Sequence, residues 1–168
     1  LFLRLSLILL SLNITACAQN EKIVPVKDAS SHPRILLLQG EEAALKQLTV
    51  ADNTWNTIHQ HIIDESDKLI DKPPVERVLI GRRLLDKSRE ALRRIFYLSY
   101  SYRLTNQPMY RLRAEKEMLA VSEFTDWNPS HFLDVAEMTM GVAIGYDWLY
   151  DALSPESRAR IRNAMIEK

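Results

Sequence analysis

Trp55, Ile58, Ile62, Ile63, Leu69 and Ile70 recur at spacings of three, four and seven. That is the 3.6-residue period of an amphipathic helix, not the two-residue alternation of a strand. Asp52 or Asn53 is placed to cap this helix, Lys72-Pro73-Pro74 ends it, and a loop runs on to about Gly81. A shorter helix precedes it, opening at Gln39-Gly40-Glu41-Glu42 and running through Leu48. A third helix is predicted from Arg82 to Leu104, with Leu84, Ala91, Ile95, Leu98 and Tyr102 on one stripe and Leu85, Leu92 and Phe96 beside it. Its first half places Arg82, Arg83, Lys87, Arg89, Arg93 and Arg94 outside. Its second half, Phe96 to Tyr102, is apolar or aromatic nearly all round, the pattern of a segment that is buried or lines a cavity.

Thr105-Asn106-Gln107-Pro108 breaks the chain, and a fourth helix is expected from Met109 to about Phe124. A polar and aromatic turn, Thr125 to Ser130, leads into a fifth helix from His131 to about Leu153. The last helix opens with Ser154 as N-cap, Pro155 at its first position and Glu156 in its first turn. No Gly or Asn cap follows Lys168, so the chain is expected to be cut within a helix. His32-Pro33-Arg34 reads as an extended or turn segment, and strand signals are confined to Ile35-Leu36-Leu37-Leu38. The expectation is an all-α fold of helical hairpins joined by short loops. An α/α toroid, a bundle or a solenoid all satisfy the pattern.

Gly141 and Gly145 lie one turn apart inside the fifth helix. Each costs about 1 kcal/mol against Ala in a helix interior, so the pair predicts close approach of a neighbouring helix.

With 22 basic and 22 acidic residues the chain has no formal net charge. Nucleic acid is therefore not an expected partner, and an acidic polymer would need a local basic patch. The single Cys excludes an internal disulfide. Residues 1–16 carry one charge, Arg4, ahead of the apolar run Leu5 to Leu12, the layout of a secretory signal. That run is too short to span a bilayer of about 30 Å. Ile14-Thr15-Ala16-Cys17 resembles a bacterial lipobox, which makes Cys17 the expected lipidated N-terminus of the mature protein. Residues 17–31 then read as a polar tether and 32–168 as the helical domain, placing the protein in the periplasm or on the outer membrane of a Gram-negative bacterium.

Candidate chemistry gathers at the turn before the fifth helix. Trp127 is a core residue or an aromatic platform for a sugar. Asn128 beside it can read hydroxyls, and His131, four residues after Trp127, either contacts a ligand or fixes the loop. Asp134 reads as an acid complementing the helix dipole. Glu137 sits among Ala136, Met138, Met140 and Val142, where a charge needs a partner. An Arg of another helix or a cleft role would supply one. Tyr97, Tyr100 and Tyr102 read as buried aromatics with satisfied hydroxyls, and Arg103 as a solvated side chain or a carboxylate ligand. His59 and His61 are two apart and cannot share a metal; no HExxH, phosphate loop, GxSxG or dinucleotide fingerprint occurs. Neither a metal nor a cofactor is expected.

The run "WNPSHFLDVAEMTMGVAIGYDWLYD", with His32-Pro33-Arg34-Ile35-Leu36-Leu37 before it, resembles the N-terminal helical domain of heparinase II/III-type polysaccharide lyases. The resemblance covers roughly Ser31 to Lys168. It implies an α/α toroid and a substrate among the uronic-acid glycans, of heparin, heparan sulfate or alginate type. Trp127, Asn128, His131 and Glu137 become candidate substrate contacts on a cleft wall. The Asn-His pair and the Tyr of these lyases come from later helices, so no catalytic residue is expected within 1–168. A glycan-binding lipoprotein without activity, and a toroid glycoside hydrolase using paired carboxylates, are the competing readings.

Overall fold

The computed structural model of the chain describes residues 31–168. The signal segment 1–16, Cys17 and the tether before Ser31 lie outside the described residues. Six α-helices follow in order: α1 (Glu42–Ala51), α2 (Asn53–Asp67), α3 (Leu85–Thr105), α4 (Pro108–Ser122), α5 (Phe132–Trp148) and α6 (Pro155–Glu167), with a 3-10 turn at Tyr150–Ala152. The fold is all-α. Among the described residues there is no strand, only an isolated bridge between Ile80 and Arg83. Within 35–38, the one strand signal, residues 35–37 form a bend in which Leu36 takes φ 60°.

Local chemistry sets three of the helix starts. Asp52 caps α2, its Oδ1 accepting from Thr54 N at 2.7 Å and Trp55 N at 3.1 Å. Pro108 opens α4, and Ser154 caps α6 by accepting from Ser157 N at 3.0 Å. Helices α2, α3 and α5 are shorter than the periodicity implies. Helix α2 ends at Asp67, not Lys72: the following turn buries Leu69 and presents its carbonyl to Arg113 Nε at 2.8 Å. Helix α3 begins at Leu85, not Arg82, because Ile80 and Arg83 close a tight turn through Gly81, which takes φ 61°. Helix α5 stops at Trp148, not Leu153; Leu149 leaves helical geometry and residues 150–152 tighten to 3-10.

Two hairpins stack side by side. The two residues Asn106 and Gln107 join α3 to α4, so these helices run antiparallel. Between α3 and α5, Leu84 meets Asp134, Arg89 meets Glu137, Leu92 faces Gly141 and Ile95 faces Gly145. The numbers rise together, so α3 and α5 run in the same direction. Helices α4 and α6 do likewise, Ser157 bonding to Glu115 and Arg160 to Glu123.

The glycines make the α3–α5 contact possible. A Cβ on Gly141 would lie 2.7 Å from Leu92 Cα; one on Gly145 would collide with Ile95 Cγ2 and sit 2.8 Å from Met118 Sδ. Around this seam Ile95, Leu98, Met118, Met138, Val142 and Trp127 are fully buried. The aromatic half of α3 is half-buried to buried, as its pattern implied.

Arg94 corrects the expectation that every basic residue of α3 points outward: it is 7% exposed. Its Nη1 donates at 2.7 Å to Glu117, which is fully buried and also accepts from Arg113 Nη2 at 2.7 Å and Val75 N at 2.9 Å. Arg94 and Arg113 spend further donors on the carbonyls of Leu69, Lys72 and Pro73. This buried cluster ties α3 and α4 to the loop that follows α2.

Candidate functional site

The turn before α5 is built by chain geometry that only certain residues tolerate. Asn128 takes φ 62°, the left-handed region that Asn enters more readily than other side-chain-bearing residues. Its N–H donates to Asp126 Oδ1 at 2.7 Å and its carbonyl accepts from His131 N at 2.9 Å. Arg77, from the loop before α3, clamps the turn by donating to both the carbonyl and the carboxylate of Asp126. The side-chain bond to Arg77 contributes most to holding the Asp126 carboxyl below its usual range.

Asp134, in the first turn of α5, is the centre of the site and does more than face its own helix dipole. It is fully buried. Arg83 Nη2 reaches Oδ1 at 2.7 Å, while Leu84 N and Asn128 Nδ2 donate to Oδ2 at 2.6 and 2.7 Å. The carboxylate therefore caps α3 from a neighbouring helix, where the exposed N–H groups and the dipole favour an anion. Burial by itself would raise this carboxyl; the hydrogen bonds from Arg83, Asn128 and Leu84 outweigh it and hold the pKa at about 2.

The four expected contact residues separate. Trp127 is fully buried and its Nε1 donates to Val121 O at 2.9 Å, so neither ring face is open to a sugar. This corrects the platform reading: the indole is a core side chain with its polar edge satisfied. Asn128 is 9% exposed. Its two amide hydrogens go to Asp134 and to Arg82 O at 2.9 Å, and both acceptors are internal. As a hydroxyl-reading group it is likewise corrected.

His131 stands at the start of α5, half-buried, with Ser130 Oγ 3.0 Å from its Nδ1. Asn128 Nδ2 at 3.3 Å has no hydrogen left for it. Its Nε2 has no hydrogen-bond partner among the described residues. Glu137 bonds to Arg89 Nε at 3.0 and 3.1 Å, the ion pair with another helix that its apolar neighbours called for.

Other candidates are structural. Arg103 is neither solvated nor open to a ligand. It donates to the carbonyls of Leu37 and Leu38 and to Glu42, with its guanidinium 5.1 Å from the Trp148 ring. Tyr100 OH meets His59 Nδ1 at 2.9 Å. His59 and His61 face different tyrosines, Tyr100 and Tyr97. Among the described residues no cluster of His, Cys, Asp or Glu can hold a metal ion, and no helix is long and apolar enough to cross a membrane.

Chemically the turn is a rigid scaffold that presents His131 and the exposed Phe132 and Leu133 beside the Arg89–Glu137 pair. Sequence reasoning missed the arginines that make it rigid, because Arg77 and Arg83 lie about 50 residues upstream of their partners, at separations of 49 and 51. No family model matches the chain, and no curated protein matches it either.

Proposed function

We propose that residues 32–168 are the N-terminal part of an α/α toroid that forms one wall of the cleft of an exported polysaccharide lyase, anchored by lipid at Cys17. The observation that carries the reading is the likeness of Trp127–Asp151 to the helical domain of heparinase II/III-type lyases. The parallel course of α3 with α5 and of α4 with α6 is consistent with it. Hairpins repeated around an axis place alternate helices in one direction, an arrangement a solenoid shares.

The substrate class is a glycan containing uronic acid, and the reaction is β-elimination. Neutralisation of the uronate carboxylate acidifies C5–H; a base takes that proton. The C5–H electron pair becomes the C4–C5 double bond, the C4–O bond breaks, and an acid protonates the departing oxygen. In this reading base and acid come from later helices. His131 is the one expected contact residue that reaches the surface with a free nitrogen, while Trp127 and Asn128 hold it in place.

The test is to incubate the full-length protein with heparin, heparan sulfate, chondroitin, hyaluronan and alginate while following ultraviolet absorbance. The conjugated double bond of the product absorbs; a hydrolysis product does not. Growth of that absorbance on at least one polymer is expected. New reducing ends without it favour the hydrolase, and no product at all favours a binding lipoprotein.

A further inference from the structure

An open groove of ≈ 260 Å³ lies between the end of α5 and the outer face of α6, lined by Tyr146, Tyr150, Pro155, Arg158, Ala159 and Arg162. Its floor is ordered from behind. Asp147 Oδ1 accepts from His32 Nδ1 at 2.7 Å, and the His32 ring stacks on Tyr150 with centroids 3.8 Å apart and planes 10° from parallel. The Arg158 guanidinium lies over the same tyrosine, 4.6 Å from its ring centre. Tyr146 closes the side, edge-on to both His32 and Tyr150.

Two features point to a ligand. Arg158 and Arg162 are one helical turn apart on α6, and among the described residues neither is paired with a carboxylate. Like charges at this spacing repel by roughly 0.2–0.5 kcal/mol, so the pair is set against the interest of the helix alone. The Tyr150 ring, 4.6 Å from the Arg158 guanidinium carbon, also helps to place this cation at the groove, where its N–H groups can meet an anion. Burial raises the Tyr146 hydroxyl above its ordinary pKa, so it remains a hydrogen-bond donor at neutral pH.

We infer that this groove binds one acidic sugar residue, its carboxylate or sulfate held between Arg158 and Arg162 and its hydroxyls by Tyr146 and Tyr150. The volume lies just below the roughly 300 Å³ at which pockets begin to enclose a whole drug-sized ligand, which suits a single charged ring within a longer chain. The choice of a sugar rests on the lyase reading; the demand for an anion rests on the two arginines. Because both faces of Tyr150 are occupied, by His32 and by Arg158, recognition runs through charge and hydroxyls and not through ring stacking on the sugar.

The test measures binding by calorimetry to the full-length protein, using alginate oligosaccharides as carboxylate probes, heparin oligosaccharides as sulfated probes and maltooligosaccharides as neutral controls. Arg162 is exposed, so Arg162→Ala and Arg162→Glu keep the fold; Arg158→Lys keeps the charge and loses the flat fork. Loss of a charge-assisted contact is expected to weaken acidic probes by about tenfold in Arg162→Ala. Arg162→Glu should weaken them further, and neutral probes should not respond. Binding of the alginate probes shows that a carboxylate suffices; binding of the heparin probes alone, which carry both groups, assigns the contact to sulfate.

Unchanged affinity in Arg162→Glu overturns the inference. So does a variant whose thermal midpoint falls while its affinity holds, because the groove would then be packed against another part of the protein. Ultraviolet product formation, followed in parallel, separates this claim from the lyase reading. Lyase activity with binding indifferent to both arginines sinks the groove alone. Arginine-dependent binding without unsaturated product sinks the lyase alone.

Discussion

Asp147 receives His32 Nδ1 on one carboxylate oxygen at 2.7 Å, although 115 residues separate them. Its other oxygen accepts from Arg34 N at 2.7 Å and Ile35 N at 3.0 Å, and Trp148 Nε1 returns a bond to Ile35 O at 2.9 Å. The His-Pro-Arg segment is therefore docked on the end of α5 by an acid and an indole adjacent in sequence. Residues 32–35 and the end of α5 are thus tied to each other across the length of the domain.

Asp147→Ala leaves two inward-facing backbone N–H groups without an acceptor. The expected cost is about 1–3 kcal/mol for each group that water cannot reach. Hydrogen exchange gives the sharper check: the amides of Arg34 and Ile35 should exchange faster in the variant, while those of α4 stay protected. Unchanged exchange at Arg34 and Ile35 would mean that Asp147 does not hold the segment.

Gly141→Ala sets a methyl group against the Leu92 backbone, which cannot rotate away as a side chain can. Overpacking of this kind costs about 1–3 kcal/mol, read as a lower urea midpoint. A change within about 0.5 kcal/mol, the range of ordinary surface sites, would show that α3 and α5 are not in contact there. Gly145→Ala is expected to cost a similar amount, because Met118 can swing aside but the stiff, β-branched Ile95 cannot.

Acid should act through Asp134. Its folded pKa of about 2 lies below the ordinary 3.8. As pH falls, the unfolded chain takes up the proton first, so the stabilisation is complete above about pH 4 and drains away between about 4 and 2. Asp134→Asn has no such proton to bind. The difference in urea midpoint between wild type and variant is expected to shrink over that window and to be constant above it. A difference that grows on acidification would reverse the sign.

Glu117 and Glu137 both pair with arginines, yet their worth differs with burial. Glu117→Gln takes from Arg113 the carboxylate it pairs with and leaves Arg94 only Glu90; the two arginines are 4% and 7% exposed, so the expected cost is toward the lower end of about 3–5 kcal/mol. Arg89 is 56% exposed at its side chain, so Glu137→Gln should cost less than about 1 kcal/mol. Equal losses measured by chemical denaturation would contradict the burial argument.

The helices were legible because periodicity and caps are local: Asp52, Pro108, Ser154 and the Gly141–Gly145 pair all act within one or two turns of where they stand. Arg94 and Arg103 were misplaced for the opposite reason. A charged side chain is outside by default; Arg94 has a local partner in Glu90, but the partners that draw Arg94 and Arg103 inward lie 21 to 66 residues away. For Trp127 the sequence left core and platform open, and the bond of its indole back to Val121 O decides for the core. The acidic partners of Arg77 and Arg83 were equally hidden, so the rigidity of the candidate turn emerges only in three dimensions.

The central claim, β-elimination on a uronic-acid glycan, is tested most directly by digesting a defined acidic oligosaccharide with the full-length protein in heavy-oxygen water and weighing the products. Elimination adds no water: the product bearing the new non-reducing end is expected to be unsaturated, lighter by one water than its hydrolytic counterpart, with no heavy oxygen introduced by bond cleavage. Saturated products carrying heavy oxygen at the cleaved bond would identify a hydrolase and contradict the account.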